Sequence, residues 1–315
     1  MNTPFPLAGA VRLTHWGVIR ARGADAVKFL QSQLTNDVAT LGLTQSRLAG
    51  FCSAKGRLQA SFLVWKAAHD EVLLACSASV LPATLKRLSM FVLRAQCKLS
   101  DASGELQLWG VAGEAALRLM RDAGVGEKRE AEGDTIIRWP DVAGVARCVL
   151  AVAAGDTLPS AIAAVPAIQL DAWRLGEVRS GIPMIEVATV DRFVPQMLNY
   201  ELVGGVDFQK GCYPGQEIVA RSQYRGTIKR RMFRFDVDVP AAPGQEVFHS
   251  ADPGQPAGLV VNAAPHPNRA GASMLVEVKL SALEGGSLHL GAPTGATLRR
   301  AELPYAIPND AALPA

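Results

Sequence analysis

The sequence predicts an α+β protein of two or three packed units that ends in a small all-β unit, and three observations carry that reading. Strand-like alternation and short helical spacings follow each other in turn through residues 16–179. Beyond Arg231 the texture changes to short alternating strands between Pro/Gly-rich turns. The length, 315 residues, exceeds what one hydrophobic core usually fills, while 49% hydrophobic and 19% charged residues supply buried cores and oppose global disorder.

The first cycle opens with an apolar strand at Trp16–Ile19. A helix follows from Ala24 or Asp25, with Val27, Phe29, Leu30 and Leu34 on its inner side. Residues 47–65 read as two β-segments around Lys55-Gly56, with Leu58, Ala60, Phe62 and Val64 alternating toward one face. Val72–Cys76 is a further strand, and Leu81–Phe91 a helix facing the core through Leu81, Leu85, Leu88 and Val92. The cycle repeats as strand 106–111, helix 114–123 and strands 135–139 and 146–152. A longer helical stretch, 161–179, is interrupted near Pro166. Together these give α+β lobes of sandwich type, antiparallel strands carrying helices on one face. Strands at 232–239, 258–261, 274–280 and 296–299 make residues 232–308 a small β-barrel or sandwich after a first region 1–231, with 309–315 as a tail.

Five cysteines, Cys52, Cys76, Cys97, Cys148 and Cys212, are dispersed and form no C-x-x-C pair, which opposes a disulfide framework and a structural zinc site. Residues 1–13 lack a basic segment followed by an apolar run, and no apolar stretch reaches membrane-spanning length. The expectation is a soluble cytoplasmic protein without membrane contact. No G-x-G-x-x-G after a strand, Walker loop, H-E-x-x-H or G-x-S-x-G is present, and His15, His69, His249, His266 and His289 are too scattered for a metal set.

The segment Lys210-Gly-Cys-Tyr-Pro-Gly-Gln-Glu217 concentrates the chemistry. Pro214 suits the first position of a helix 214–222 with Ile218 and Val219 turned inward, which would set the Cys212 thiol near the positive end of the helix dipole and beside Lys210. Both effects favour thiolate; the alternative is a small buried hydrophobe. Gly211 and Gly215 fit either ligand approach or a turn. Gln216 and Glu217 complement a helix start, and Glu217 pairs with Arg221 at i, i+4. From Lys210 to Arg234 seven cations face one acid, a positive stretch suited to a polyanion or to a solvated face. Trp16 and Trp173 offer stacking surface for a flat heteroaromatic ligand or ordinary core, and Asn36 and Asp37 offer ligand hydrogen bonds or a turn.

The run Gly204-Gly-Val-Asp-Phe-Gln-Lys-Gly-Cys-Tyr-Pro-Gly-Gln-Glu-Ile-Val-Ala-Arg221, with Tyr224-Arg-Gly226 and Lys229-Arg230 after it, resembles the signature of the YgfZ-type folate-binding proteins in the aminomethyltransferase superfamily. Gly181-Ile-Pro183, Phe193-Val-Pro-Gln196 with Asn199, Phe29–Val38 and Ala54-Lys-Gly-Arg57 resemble other parts of the same family. The resemblance implies two ferredoxin-like lobes and a C-terminal β-barrel, tetrahydrofolate or a one-carbon derivative as cofactor, and support of iron–sulfur proteins or their assembly factors. Clients that modify tRNA would make any tRNA connection indirect. It also implies Cys212 and Lys210 as the reactive pair. Folate contacts would come from Trp16, Trp173, Asn36, Asp37, Gln196, Asn199, Tyr213, Gly215, Gln216, Glu217 and Arg221.

Two departures bear on activity. The aminomethyltransferases carry an acidic pair in the strand where this chain has Gly56–Val64, which holds no Asp or Glu. Arg179 stands where many relatives have Glu, with Glu177 as the nearest substitute. Whether the chain catalyses one-carbon transfer is therefore left open, with accessory factor, transferase and direct tRNA-binding module as the alternatives.

Overall fold

The structure is a computed structural model that describes residues 7–155, 157–224 and 228–308. Arg225 and Gly226 of the signature, and the 309–315 tail, lie outside the described residues. The strands and helices assemble as three sheets, few helices and a curled C-terminal sheet, the mixed architecture that the alternating pattern predicts.

The first sheet has the order β3-β4-β5-β2-β6, from β2 (Trp16–Arg22), β3 (Ser46–Cys52), β4 (Leu58–Ala68), β5 (Glu71–Ser77) and β6 (Lys98–Asp101). α1 (Ala26–Gln31) and α2 (Leu81–Ser89) belong to the same stretch of chain. β4 alternates as expected, yet Ser61, Leu63 and Trp65 are buried as well as Phe62 and Val64, so both of its faces are covered. α1 ends before Leu34, which instead bridges to Phe51. α2 buries Leu81, Thr84 and Leu88 and stops at Ser89.

The second sheet has the order β1-β7-β10-β9-β8, from β1 (Gly9–Arg12), β7 (Leu106–Ala112), β8 (Lys128–Ala131), β9 (Asp134–Val142) and β10 (Val145–Ala153). α3 (Glu114–Leu119) packs on it through Ala115 and Ala116. The helical stretch predicted over 161–179 begins only at Leu170, as α4 (Leu170–Arg179). Before it the chain runs along β1, with Ala10 N–H on the Pro166 carbonyl and Ile168 N–H on the Ala10 carbonyl. Proline has no N–H to give a helix, and its carbonyl serves the strand instead.

The third sheet, β15-β12-β13-β14-β11-β16, is built from β11 (Arg230–Val237), β12 (Glu246–His249), β13 (Asp252–Pro265), β14 (Ala272–Lys279), β15 (Leu288–Leu290) and β16 (Arg299–Ala301). Its concave core holds Phe233, Phe235, Val260, Met274, Val276 and Leu288. α5 (Gln216–Tyr224) precedes it.

The chain divides into two compact units: residues 1–31, 37–47 and 62–176, and residues 32–36, 48–61 and 177–315. No helix among the described residues is long and apolar enough to cross a membrane.

Candidate functional site

The second unit gathers three stretches that are far apart in sequence. Residues 32–36 thread beside 204–210: Thr35 Oγ1 donates to the Gly205 carbonyl at 2.6 Å and accepts from Gly50 N–H at 2.7 Å. Asn36 Nδ2 donates to the carbonyls of Leu48 (2.7 Å) and Gly204 (2.6 Å). Lys210, buried, donates from Nζ to the Leu34 carbonyl at 2.7 Å and lies 4.9 Å from the centre of the Tyr213 ring. Asp207 Oδ1 accepts from Gln209 and Lys210 N–H, which shapes the approach to Cys212.

The 53–57 turn carries the loop. Gly56 (φ +68°) and Gly215 (φ +78°) both adopt left-handed backbone, where a side chain is strained. A Cβ on Gly215 would lie 2.4 Å from the Ser53 carbonyl oxygen and 2.6 Å from Gly56 Cα, and one on Gly56 would lie 2.8 Å from Ile218 Cβ. The two turns are therefore pressed together at the level of the backbone. Gly211 differs: its φ is not in the left-handed range, and a Cβ there would meet nothing within 4 Å.

This geometry changes the helix prediction. α5 starts at Gln216, not at Pro214, because Gly215 turns the chain and Gln216 N–H bonds to the Tyr213 carbonyl. Cys212 thus sits ahead of a tight turn and not on the first helical turn. Val219 is buried as predicted, but Ile218 is 41% exposed and covers the 53–57 turn.

The cysteines divide sharply. Cys52, Cys76 and Cys148 are buried, and burial pushes each thiol up to about 12. Cys97 is half-buried and is also raised by burial. Cys212 is exposed. Its neighbour Tyr213 is buried, and burial raises its phenol.

Gln196 and Asn199 are fully buried. Gln196 Nε2 donates to the Val219 carbonyl at 2.8 Å, and Asn199, with φ +55°, donates to the Met232 carbonyl at 2.7 Å. Both amides bind backbone, so they position α5 and β11. Gln216 is half-buried, whereas Glu217 and Arg221 are exposed. The predicted positive stretch is weaker than its sequence: Arg230 pairs with Glu277, Arg231 with Glu201, and Arg234 Nε donates to the Glu302 carbonyl at 2.8 Å. Arg179 lies near Asp236, Arg234 and Arg269, and burial lowers its pKa.

The remaining candidates lie in the first unit. Trp16 is 8% exposed, donates from Nε1 to His15 Nε2 at 3.0 Å and meets Trp139 edge-on at 5.9 Å. It lines a cleft of about 420 Å³ with Arg12, Thr14, Asp101, Ser103 and Gln107. Trp173 is wholly buried: its ring crowds Gly110, where a Cβ would fall 2.5 Å from it, and the Arg147 guanidinium lies 5.2 Å from its centre. Asp37 builds a turn, accepting from Ala39 N–H, Thr40 N–H and Thr40 Oγ1. Burial pushes its carboxyl up, but these hydrogen bonds and the Arg47 charge outweigh it and leave the pKa lowered.

Sequence reasoning missed Ser53 and Asp191. Ser53 Oγ donates to Asp191 Oδ1 at 2.7 Å, and Asp191 holds left-handed backbone at φ +58°. Asp191 thereby brings a carboxylate to the 53–57 turn, although β4 itself carries none over 58–64. The available signal was position: Ser53 directly precedes the Ala54–Arg57 segment, and Asp191 falls between the Gly-Ile-Pro and Phe-Val-Pro-Gln segments. No cluster of three or more His, Cys, Asp or Glu that could hold a metal ion occurs among the described residues.

Residues 7–141 match the GCVT N-terminal domain. The tRNA-modifying protein YgfZ of Edwardsiella ictaluri is 31% identical over 251 residues, which cover 74% of this chain and 75% of that protein. The chain belongs to the YgfZ family. YgfZ of Photobacterium profundum is 32% identical over 238 residues, 73% of this chain and 70% of that protein. The fold of this chain is also that of glycine cleavage system aminomethyltransferase T from Bartonella henselae, whose crystal structure matches with a TM-score of 0.72 at 17% identity, covering 93% of this chain and 85% of that one.

Proposed function

We propose that this YgfZ-family chain is a tetrahydrofolate-binding accessory factor that supports assembly or repair of iron–sulfur proteins in the cytoplasm, tRNA-modifying enzymes among them. The observation that carries the reading is the contrast among the thiols: Cys212 alone of the five is exposed, on a loop shaped by two interlocked glycine turns. An exposed thiol is accessible to iron or sulfur in transit, as a buried one is not. Lys210 acts here as a support, since its ammonium holds the 34–36 segment and the Tyr213 ring. The name of the relatives, tRNA-modifying protein, supports a link to tRNA; internal pairing of Arg230 and Arg231 favours a link through client enzymes over direct contact.

The residues fit a folate at the Trp16 cleft. Its volume of about 420 Å³ lies within the ordinary range of small-molecule sites, and an aromatic edge, a guanidinium and amide, hydroxyl and carboxylate groups line it. Bound there, the cofactor would supply one-carbon carriage. Trp16 would pack against the ring system, Arg12 would face a carboxylate, and Trp173 would hold the lobe from within. Asn36, Gln196 and Asn199 position the thiol loop and the strands around it.

Cys212→Ala is expected to lower iron–sulfur enzyme activity in cells lacking the wild-type gene while leaving folate affinity unchanged; full activity in that strain would end the thiol role. Trp16→Ala is expected to weaken tetrahydrofolate about tenfold in a thermal-shift titration. A second reading, one-carbon transfer, is favoured by Asp191 at the 53–57 turn, where with Arg57 it lines a cleft of about 410 Å³. Its sign would be methylene- or methyl-folate formed from tetrahydrofolate and an amine donor, and lost in Asp191→Asn.

A further inference from the structure

Where α2 ends, the chain exposes an apolar knuckle that its own core does not use. Met90 is 67%, Phe91 42% and Leu93 87% exposed. Leu93 also holds left-handed backbone at φ +43°, a conformation that disfavours leucine and suits asparagine or glycine. Fold stability therefore gives no reason for leucine at this site: its side chain is out in water and its backbone is strained.

The knuckle is tied down by backbone hydrogen bonds. Met90 N–H reaches the Lys86 and Arg87 carbonyls, Phe91 N–H the Leu88 carbonyl at 3.0 Å, Ala95 N–H the Val92 carbonyl at 2.8 Å and Gln96 N–H the Asp25 carboxylate at 2.8 Å. Lys86, Arg87, Arg94 and Lys98 flank it in the chain, all exposed, and the chain has no acid from Val72 to Ser100; Asp25 is the carboxylate that bonds to it. Lys86 and Arg87 complement the end of the α2 dipole, but Arg94 and Lys98 lie beyond the helix.

We propose that this knuckle is a docking surface for a protein partner that presents an apolar pocket rimmed by carboxylates. An apolar tip flanked by exposed cations is the form of an anchor residue that a pocket buries while neighbouring charges steer the approach. A bilayer is the poorer occupant, because the apolar face of α2 is turned into its own core and leaves no amphipathic helix to lie in a membrane surface. A second copy is also disfavoured, since it brings the same cations to a chain of net charge +3. The surface lies in the first unit and does not depend on Cys212 or on folate.

The test places a benzoylphenylalanine photo-cross-linker at position 93 of the full chain in growing cells, with position 284, also exposed, as control. One discrete adduct with an acidic protein is expected at 93 and not at 284. The purified adduct partner should then bind the wild-type chain, more weakly as salt rises, and at least tenfold more weakly to Leu93→Asn and to the Lys86→Glu/Arg87→Glu double variant. Leu93→Asn should keep or raise the melting temperature, because asparagine accepts the left-handed backbone. No adduct, equal adducts at both positions, an adduct with lipid or a second copy, or unchanged binding by both variants overturns the proposal. A lowered melting temperature for Leu93→Asn does so too, by making the leucine structural.

Discussion

The loop from Lys210 to Gln216 and the strand from Arg230 to Arg234 follow each other closely in the chain, and in the sequence both present polar, cation-bearing surface. In the structure the strand folds its charges inward, Arg231 being 2% exposed against Glu201 and Arg230 pairing with buried Glu277. The loop does the reverse: it buries Lys210 and Tyr213 as supports and leaves Cys212 in solvent. The difference lies in partners. A cation can enter a core where an acceptor waits for it, a carboxylate for Arg230 and Arg231 and the Leu34 carbonyl for Lys210.

The largest effect should come from the strand. Arg231→Met is expected to cost about 3–5 kcal/mol in urea unfolding, because it leaves Glu201 buried without its ion pair. Adding Glu201→Leu should restore most of that loss. A cost below about 1 kcal/mol would return Arg231 to the surface class and erase the contrast.

The loop is next. Gly215→Ala is expected to lose about 1–3 kcal/mol, from left-handed strain and the collision with the Ser53 carbonyl. Equal stability of Gly215→Ala and wild type would mean that the two turns are not locked together.

The thiols sharpen the comparison through pH. Cys52, Cys76 and Cys148 have folded-state pKa values raised by burial to about 12 from an ordinary value of 9.0, so the folded chain holds their protons more tightly than the unfolded chain. Their contribution is complete below pH 9.0 and is lost as pH climbs toward about 12. Alkaline unfolding followed by circular dichroism measures it. Iodoacetamide at neutral pH should label Cys212 and spare these three until the chain unfolds.

The smallest effects belong to the exposed tip. Cys212→Ser and Gly211→Ala should each change stability by no more than about 0.5 kcal/mol. If Gly211→Ala nevertheless lowers iron–sulfur enzyme activity as is expected of Cys212→Ala, the open space beside the thiol is needed by what approaches it.

Much of the architecture was legible. β2, β4, β5, β7, β10 and β14 stand close to where alternation placed them, since covered faces select apolar residues at every second position. β1, β6, β8, β12 and β15 were not legible, being three or four residues long, too short for a period to register. The residue types of the site were legible, and the contacts that those side chains make within the chain were not. Asn36, Gln196 and Asn199 read as ligand-binding amides, and the structure turns all three toward backbone carbonyls. Nothing local distinguishes an amide facing a ligand from one facing the main chain. Ser53 and Asp191 escaped because their pairing joins residues 138 apart.

The interlocked turns at Gly56 and Gly215 also set a schedule. One half of the thiol loop's support is synthesised early and the other only after nearly 160 further residues, so no amino-terminal fragment that stops short of Gly215 can shape the loop. The exposed tip that carries Cys212 is therefore a late product of folding.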